Sequence, residues 1–211
     1  MIIEKASYEI IDELDKTDIL KKIERIGKVC YDSKDKILDD SADGFVRNLI
    51  ERKHLTPIEH FSFTVIFQTS RAIADELARH RLMSPMMRST RYCDYSGSKY
   101  NGEITVIRPY YIEPDTEEYA VWYKSCHYAE MQYMRLRELG FTPEKARGVL
   151  PLDIKTEFVL TGNLRNWRHV LQLRAADYTG PAHPAMHELM IPLLMELRTK
   201  LPAIFEDIVV P

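Results

Sequence analysis

The sequence predicts an α+β fold, a mixed sheet with flanking helices. Three observations predict it. Segments of period two and of period 3.6 both occur, they do not alternate strictly, and the connections between them are short. No internal repeat, low-complexity tract or Gly/Ser linker breaks the chain, so residues 1–211 read as one domain, long enough to bury a proper core.

The opening IIEKASYEII, rich in β-branched residues, reads as a strand. Thr17 or Asp18 can cap a helix whose apolar positions are Ile19, Leu20, Ile23, Ile26 and Cys30. A second helix is expected from about Ser41 to Lys53, with Phe45, Val46, Leu49 and Ile50 on one face. The period then falls to two: Phe61, Phe63, Val65 and Phe67 alternate with Ser62, Thr64, Ile66 and Gln68, which predicts a strand. Ser70 suits the N-cap of a helix carrying Ile73, Leu77 and Ala78, which runs into Arg79-His80-Arg81 and stops by Pro85. Ile104 to Ile107 is a short strand closed by Pro109. A long helix starts near Asp115, with Glu118 at capping-box spacing, and ends at Gly140. Thr142-Pro143-Glu144 opens a short helix that ends before Pro151. Ile154 to Thr161 reads as a strand, Asn163 caps a helix through Arg174, and a last helix spans about Pro184 to Leu201, with Pro192 as a point of kinking.

Composition excludes several classes. With 29 Lys+Arg against 32 Asp+Glu the formal net charge is −3, which argues against a general nucleic-acid coat. The first residues carry Glu4 and Lys5 and do not resemble a secretory signal, and no stretch approaches the roughly 18 apolar residues of a membrane span. Cys30, Cys93 and Cys126 are odd in number and widely spaced, so neither a disulfide framework nor a zinc site is expected, and a reducing cytoplasmic setting is the default. Neither G-x-G-x-x-G nor G-x-x-x-x-G-K-[ST] occurs, so any nucleotide must be held by other means.

The segment Arg79 to Arg91, RHRLMSPMMRSTR, has four arginines, a histidine, two serines and a threonine, and no acid. Crowded positive charge needs an anion or solvent to compensate it. Arginine forks match phosphate oxygens, and Ser84, Ser89 and Thr90 can add neutral hydrogen bonds, so the segment is either a phosphate site or a solvated basic turn. The interleaved Leu82, Met83, Met86 and Met87 favour a partly buried pocket. Between a helix and a strand, His54-Leu55-Thr56-Pro57-Ile58-Glu59-His60 is either a polar cluster that meets a ligand or a turn whose histidines are partners of Glu59. In NLRNWRHVLQLR, Trp167, Leu171 and Arg174 share a helix face, so Arg174 ends an apolar stripe and either snorkels to solvent or points at a buried anion, while Arg165 and Arg168 lie off it. Arg147 sits just before an apolar run. Cys93, beside Arg91-Tyr92, is either a reactive thiol or a structural cysteine, and no base is evident for it.

Arg79 to Arg91 resembles the signature R-H-R-x-x-S-x-N-x-x-S-x-R of the flavin-dependent thymidylate synthases. The resemblance covers most of the chain. His54 to His60 matches that family's H-x-[ST]-P-x-E-H segment, Ala146 to Leu152 its A-R-x-V-L-P-L segment, and Asn163, Arg165, Leu173 and Arg174 its N-x-R…L-R segment. Four motifs in order are far more specific than one.

The resemblance implies a homotetramer of mixed α/β subunits with active sites built between subunits. It implies conversion of dUMP to dTMP with methylenetetrahydrofolate as one-carbon donor, FAD as hydride carrier and NADPH as reductant, and without a cysteine nucleophile. Nucleic acid and membrane partners are not expected. Arg79, His80 and Arg81 match the flavin-contacting triplet, and Arg79 also reaches the nucleotide. Thr56, Asn163 and Arg165 match flavin contacts, and His169 a further polar contact. Glu76, Ser89, Arg91 and Arg147 match dUMP-binding positions, with Ser89 and Arg91 on the phosphate. Arg174 matches the arginine that promotes ionisation of the uracil ring. One departure stands out: the motif's Asn is Met86 here, and the following Glu or Gln is Met87. Two polar contacts become thioethers, which opens two alternatives. One is the same fold acting on UMP or dCMP, or giving a hydroxymethyl product; the other is a non-catalytic nucleotide- or RNA-binding module.

Overall fold

In the computed structural model, which describes residues 1–32, 37, 38 and 40–211, the mixture of periods resolves into six strands and eight α-helices among the described residues. The first expected strand is two: β1 (Ile2–Glu4) and β2 (Ser7–Ile10), separated by Lys5-Ala6 and placed in different sheets. β1 runs parallel to β5 (Thr105–Ile107), with Ile3 opposite Val106. The other sheet has the order β2-β3-β6-β4, where β3 is Ser62–Ser70, β6 is Lys155–Asn163 and β4 is Ser84–Met87. β4 is a correction, since the helix expected to end by Pro85 stops earlier and the chain re-enters as a strand. Its edge position explains how a strand tolerates Pro85, which has no N–H to donate.

The helices are α1 (Lys16–Gly27), α2 (Ala42–Glu51), α3 (Arg71–Leu77), α4 (Glu117–Glu138), α5 (Pro143–Ala146), α6 (Leu164–Arg174), α7 (Pro184–Lys200) and α8 (Pro202–Phe205). Capping explains most boundaries. The side chains of Ser70 and Asn163 accept hydrogen bonds from the N–H groups of Ile73 and Asn166, as expected. Two caps differ by a residue or more. Asp15, not Thr17 or Asp18, accepts from the Asp18 N–H, and Thr116, not Asp115, accepts from Tyr119. Ser41 precedes α2 without capping it: its oxygen accepts the Leu38 N–H at 3.0 Å instead, while its hydroxyl donates to Glu24 Oε1 at 2.6 Å. α4 ends in a Schellman motif: Gly140 has φ +86°, its N–H reaches Arg137 O, and the N–H of Phe141 reaches Leu136 O. α8, only four residues long, is an element that the pattern did not reveal.

The chain divides into two compact units, each made of discontinuous segments. The first comprises 1–8, 66–79 and 85–159. Its core gathers Tyr95, Ile104, Val106, Trp122, Cys126, Tyr133, Ala146 and Ile154. α4 contributes Trp122, Cys126 and Tyr133 from one face, and Trp122 Nε1 donates to Asp153 at 2.8 Å. Arg137 on the same helix grips Asp94 through two nitrogens, at 3.0 and 2.6 Å, and holds that carboxyl down at about 2.

The second unit comprises 9–65, 80–84 and 160–211. Here α1 packs on α2, α2 on α8, α8 on α7 and α7 on α6. Trp167 is fully buried; it stacks on Phe63 with ring centroids 4.9 Å apart and donates to the Phe63 carbonyl at 3.1 Å. Arg168, expected off the apolar stripe, is nonetheless 4% exposed, because its guanidinium takes both oxygens of Asp207 at 2.6 Å and the carbonyl of Ile204.

Candidate functional site

The residues that carry chemistry fall into two groups, one in each unit. The second unit takes up the chain again at His80-Arg81, in a turn shortly after α3. The turn is held from α6 and its entry. Asn166 Nδ2 donates to the Leu82 carbonyl at 2.8 Å, and buried Met83 fills the space above Gly162, where a Cβ would lie 2.1 Å from its sulfur. This presents His80 to Arg174 in the last turn of α6. Arg174 Nε donates to His80 Nε2 at 3.2 Å, and the His169 ring stands edge-on to His80 with centroids 6.5 Å apart. Burial, together with the positive charge of Arg174 and the proximity of His169, pushes His80 down from 6.5 to about 4. His80 is therefore neutral at pH 7. Arg174 ends the stripe of Trp167 and Leu171 half-buried and turned to His80, which decides against a snorkelling arginine.

The segment Thr56–His60 forms a 3₁₀ turn packed against α6. Glu59 does not pair with its neighbouring histidines: it takes Arg165 Nη1 at 2.5 Å, and His54 and His60 are exposed. Thr56 is exposed at the start of the turn. Asn163 spends its side-chain oxygen on the α6 cap, which leaves the amide nitrogen as a donor.

The first unit holds the other group. Ser89 Oγ accepts the Arg91 N–H at 3.2 Å, and Arg147, entering from the 3₁₀ turn after α5, donates to Thr90 Oγ1 at 3.2 Å. Two arginines of the acid-free segment find acids elsewhere. Arg88 pairs with Glu157 at 2.7 Å and Arg91 with Glu144 at 3.1 Å. Thr90 was expected among the neutral partners of this segment, whereas Glu144 was missed; its only signal was its placement three residues before Arg147. Glu76 lies in the last turn of α3, where its carbonyl accepts the Arg79 N–H at 3.2 Å. The side chains of Arg79 and Arg81 are exposed and make no ion pair or hydrogen bond among the described residues. The partly buried pocket expected from the interleaved apolar residues holds only for Met83 and, in part, Met87. Leu82 and Met86 are 81% and 72% exposed.

The group in the first unit offers guanidinium and hydroxyl donors, a chemistry that suits a phosphate, and the group in the second sets a guanidinium against an uncharged imidazole. Both are carried on an α+β frame that known proteins share. Residues 11–203 match the family described as thymidylate synthase complementing protein, and the chain belongs to that family. A flavin-dependent thymidylate synthase from Mycobacteroides abscessus is 32% identical over 203 residues, covering 88% of this chain and 78% of the relative. Another from Corynebacterium diphtheriae is 28% identical over 209 residues, covering 90% and 79%. Among solved structures, the UMP/dUMP methylase PolB from Streptomyces cacaoi, bound with 5-Br dUMP, superposes with a TM-score of 0.78 at 22% identity, covering 98% of this chain and 96% of that one. At that identity the likeness is one of fold.

Among the described residues no helix is long and apolar enough to cross a membrane, and no group of His, Cys, Asp and Glu is placed to hold a metal ion.

Proposed function

We propose that this chain is a flavin-dependent thymidylate synthase that methylates dUMP reductively at C5 to give dTMP, with methylenetetrahydrofolate, FAD and NADPH. The observation that carries the reading is the locked pair of Arg174 and His80, in a chain that belongs to the family over residues 11–203.

The donor set fits FAD. Arg79 and Arg81 offer charge that no described carboxylate neutralises, which suits a diphosphate, and Asn163 and His80 offer N–H groups to the acceptor edge of a flavin ring. Thr56, Arg165 and His169 complete the flavin contacts in this reading. The bound flavin supplies the hydride chemistry. Ser89, Arg91 and Arg147 hold the nucleotide, with Ser89 and Arg91 on its phosphate, and Glu76 and Arg79 add contacts. Arg174 faces the uracil, where activation at C5 drives negative charge onto N3 and O4; a preorganised guanidinium stabilises that charge without reorganising. The cysteines take no part. Cys126 is buried, with its thiol pushed up to about 11 by burial.

The reading includes a homotetramer with active sites built between subunits, residues 1–211 acting as one domain, and a cytoplasmic location. Exposed Leu82 and Met86 beside the site residues support burial by another subunit. The interleaving of both units along the chain supports one domain.

The test is purified protein supplied with FAD, dUMP, methylenetetrahydrofolate and NADPH under low oxygen. dTMP is the expected product; folded, flavin-bound protein that yields none overturns the reading. The relatives do not favour the alternatives. UMP and dCMP as competing substrates, with product mass, test the first of them, and salt-dependent RNA binding by colourless protein would mark the second.

A further inference from the structure

Arginine has a flexible stem, and a guanidinium that must meet a planar base needs its plane set. Nε is the guanidinium nitrogen attached to that stem, so a partner on Nε fixes the group's rotation. In this chain the partner is the ring of His80, at 3.2 Å. The turn that carries His80 is bound to the helix that carries Arg174, through Asn166 on Leu82, and to the glycine before that helix, through Met83 on Gly162. His80 and Arg174 are therefore held to one frame.

We propose that His80 is a positioning residue for Arg174: its bare Nε2 accepts the Nε–H and sets the plane of the guanidinium that meets the uracil. The inference deepens the synthase reading and rests on it for the identity of the ligand. A neutral imidazole has one N–H, so the ring proton sits on Nδ1 and the opposite edge of the ring is a donor. A protonated ring could not accept, and would set a second cation against Arg174. The charged and titratable groups acting on the ring are Arg174 and His169, both on α6, and with burial they keep it neutral.

The two edges of the ring can be separated by substitution. His80→Gln puts an amide oxygen near the place of Nε2 and loses the Nδ1 donor. His80→Asn keeps a donor near Nδ1 and loses the acceptor. His80→Asn is expected to retain flavin and the KM for dUMP while kcat falls about ten- to hundredfold, the range of one charge-assisted hydrogen bond. His80→Gln is expected to bind flavin more weakly but to recover most of kcat at saturating FAD. Equal kcat loss in both overturns the proposal. Nitrogen-15 NMR of the ligand-free wild-type protein at pH 7 decides it without any variant. A proton on Nδ1 and none on Nε2 is expected, and the opposite tautomer or a charged ring sinks the idea. If the wild type makes no dTMP, the synthase reading fails, while the NMR result still judges the pairing of His80 with Arg174.

Discussion

The thioether of Met83 occupies the space that a side chain on Gly162 would need, with its sulfur 2.1 Å and its methyl 2.5 Å from where a Cβ would stand. Gly162→Ala must therefore displace a buried side chain. Methionine is flexible, so the chain gives way in part, and a loss of about 1–3 kcal/mol is expected. Urea unfolding measures it, and flavin content should fall too, because Met83 seats the turn that carries His80. Adding Met83→Ala should recover part of the loss. An unchanged unfolding midpoint in Gly162→Ala would show that the close packing is absent.

Arg174→Ala removes the guanidinium that faces the uracil but leaves the flavin contacts of the reading. The expected protein is folded, yellow and inactive, with turnover lost by at least about 100-fold, the scale of one preorganised electrostatic donor. A visible spectrum and a dTMP assay check it. Colourless protein would place Arg174 in cofactor retention instead.

His80 binds its proton less readily in the folded protein, at about 4 against 6.5 for the free side chain. Between those values the unfolded chain holds more protons than the native one, so stability rises with pH across that window. The contribution is fully present above about 6.5 and is lost as pH falls towards 4. Unfolding free energy measured from pH 7 to pH 4 should fall less steeply in His80→Gln than in the wild type. Parallel curves would show that His80 does not titrate in this way.

Arg168 is buried while Asp207, its partner, is partly open to solvent. Removing the arginine leaves a carboxylate that water can still reach, along with a cavity and an unserved Ile204 carbonyl. Arg168→Ala is expected to destabilise by about 3 kcal/mol, near the lower end for breaking a buried pair. Asp207→Asn leaves a buried guanidinium without its counter-charge but with polar contacts, and a smaller loss of about 1–2 kcal/mol is expected. Denaturant titration of both variants checks the order; the reverse order would contradict it.

Glu144 competes with a phosphate for Arg91 in the synthase reading. Both side chains are about half exposed, so the pair is weak, within about 1 kcal/mol. Glu144→Gln should lower the KM for dUMP by about two- to fivefold at low salt, and the difference should shrink as salt is added. A raised KM would mean that Glu144 orients Arg91 rather than competing for it.

Much of this was legible along the chain. Ser70, Asn163 and Gly140 mark helix ends because each supplies a local backbone partner or conformation, and local features survive in sequence. The caps at Asp15 and Thr116 were displaced because neighbouring residues of similar chemistry compete for the role, and geometry selects one. β4 was hidden because Ser84-Pro85-Met86-Met87 has no β-branched residue, and its strand state comes from pairing at a sheet edge.

The sequence by itself determined the kind of fold and the family, and it supplied the residue types of the proposed site, since motif spacing and residue chemistry are properties of the chain. Tertiary structure decided who faces whom. Arg174 and His80 are 94 positions apart, Arg165 and Glu59 are 106, and Arg147 and Thr90 are 57. Glu59 looked like a partner for its neighbouring histidines and serves a distant arginine instead. The neutrality of His80 was equally invisible, because it follows from burial and from the cation beside it. A sequence names an imidazole; only the folded surroundings set its charge, and with it whether the ring can accept the hydrogen bond that holds Arg174.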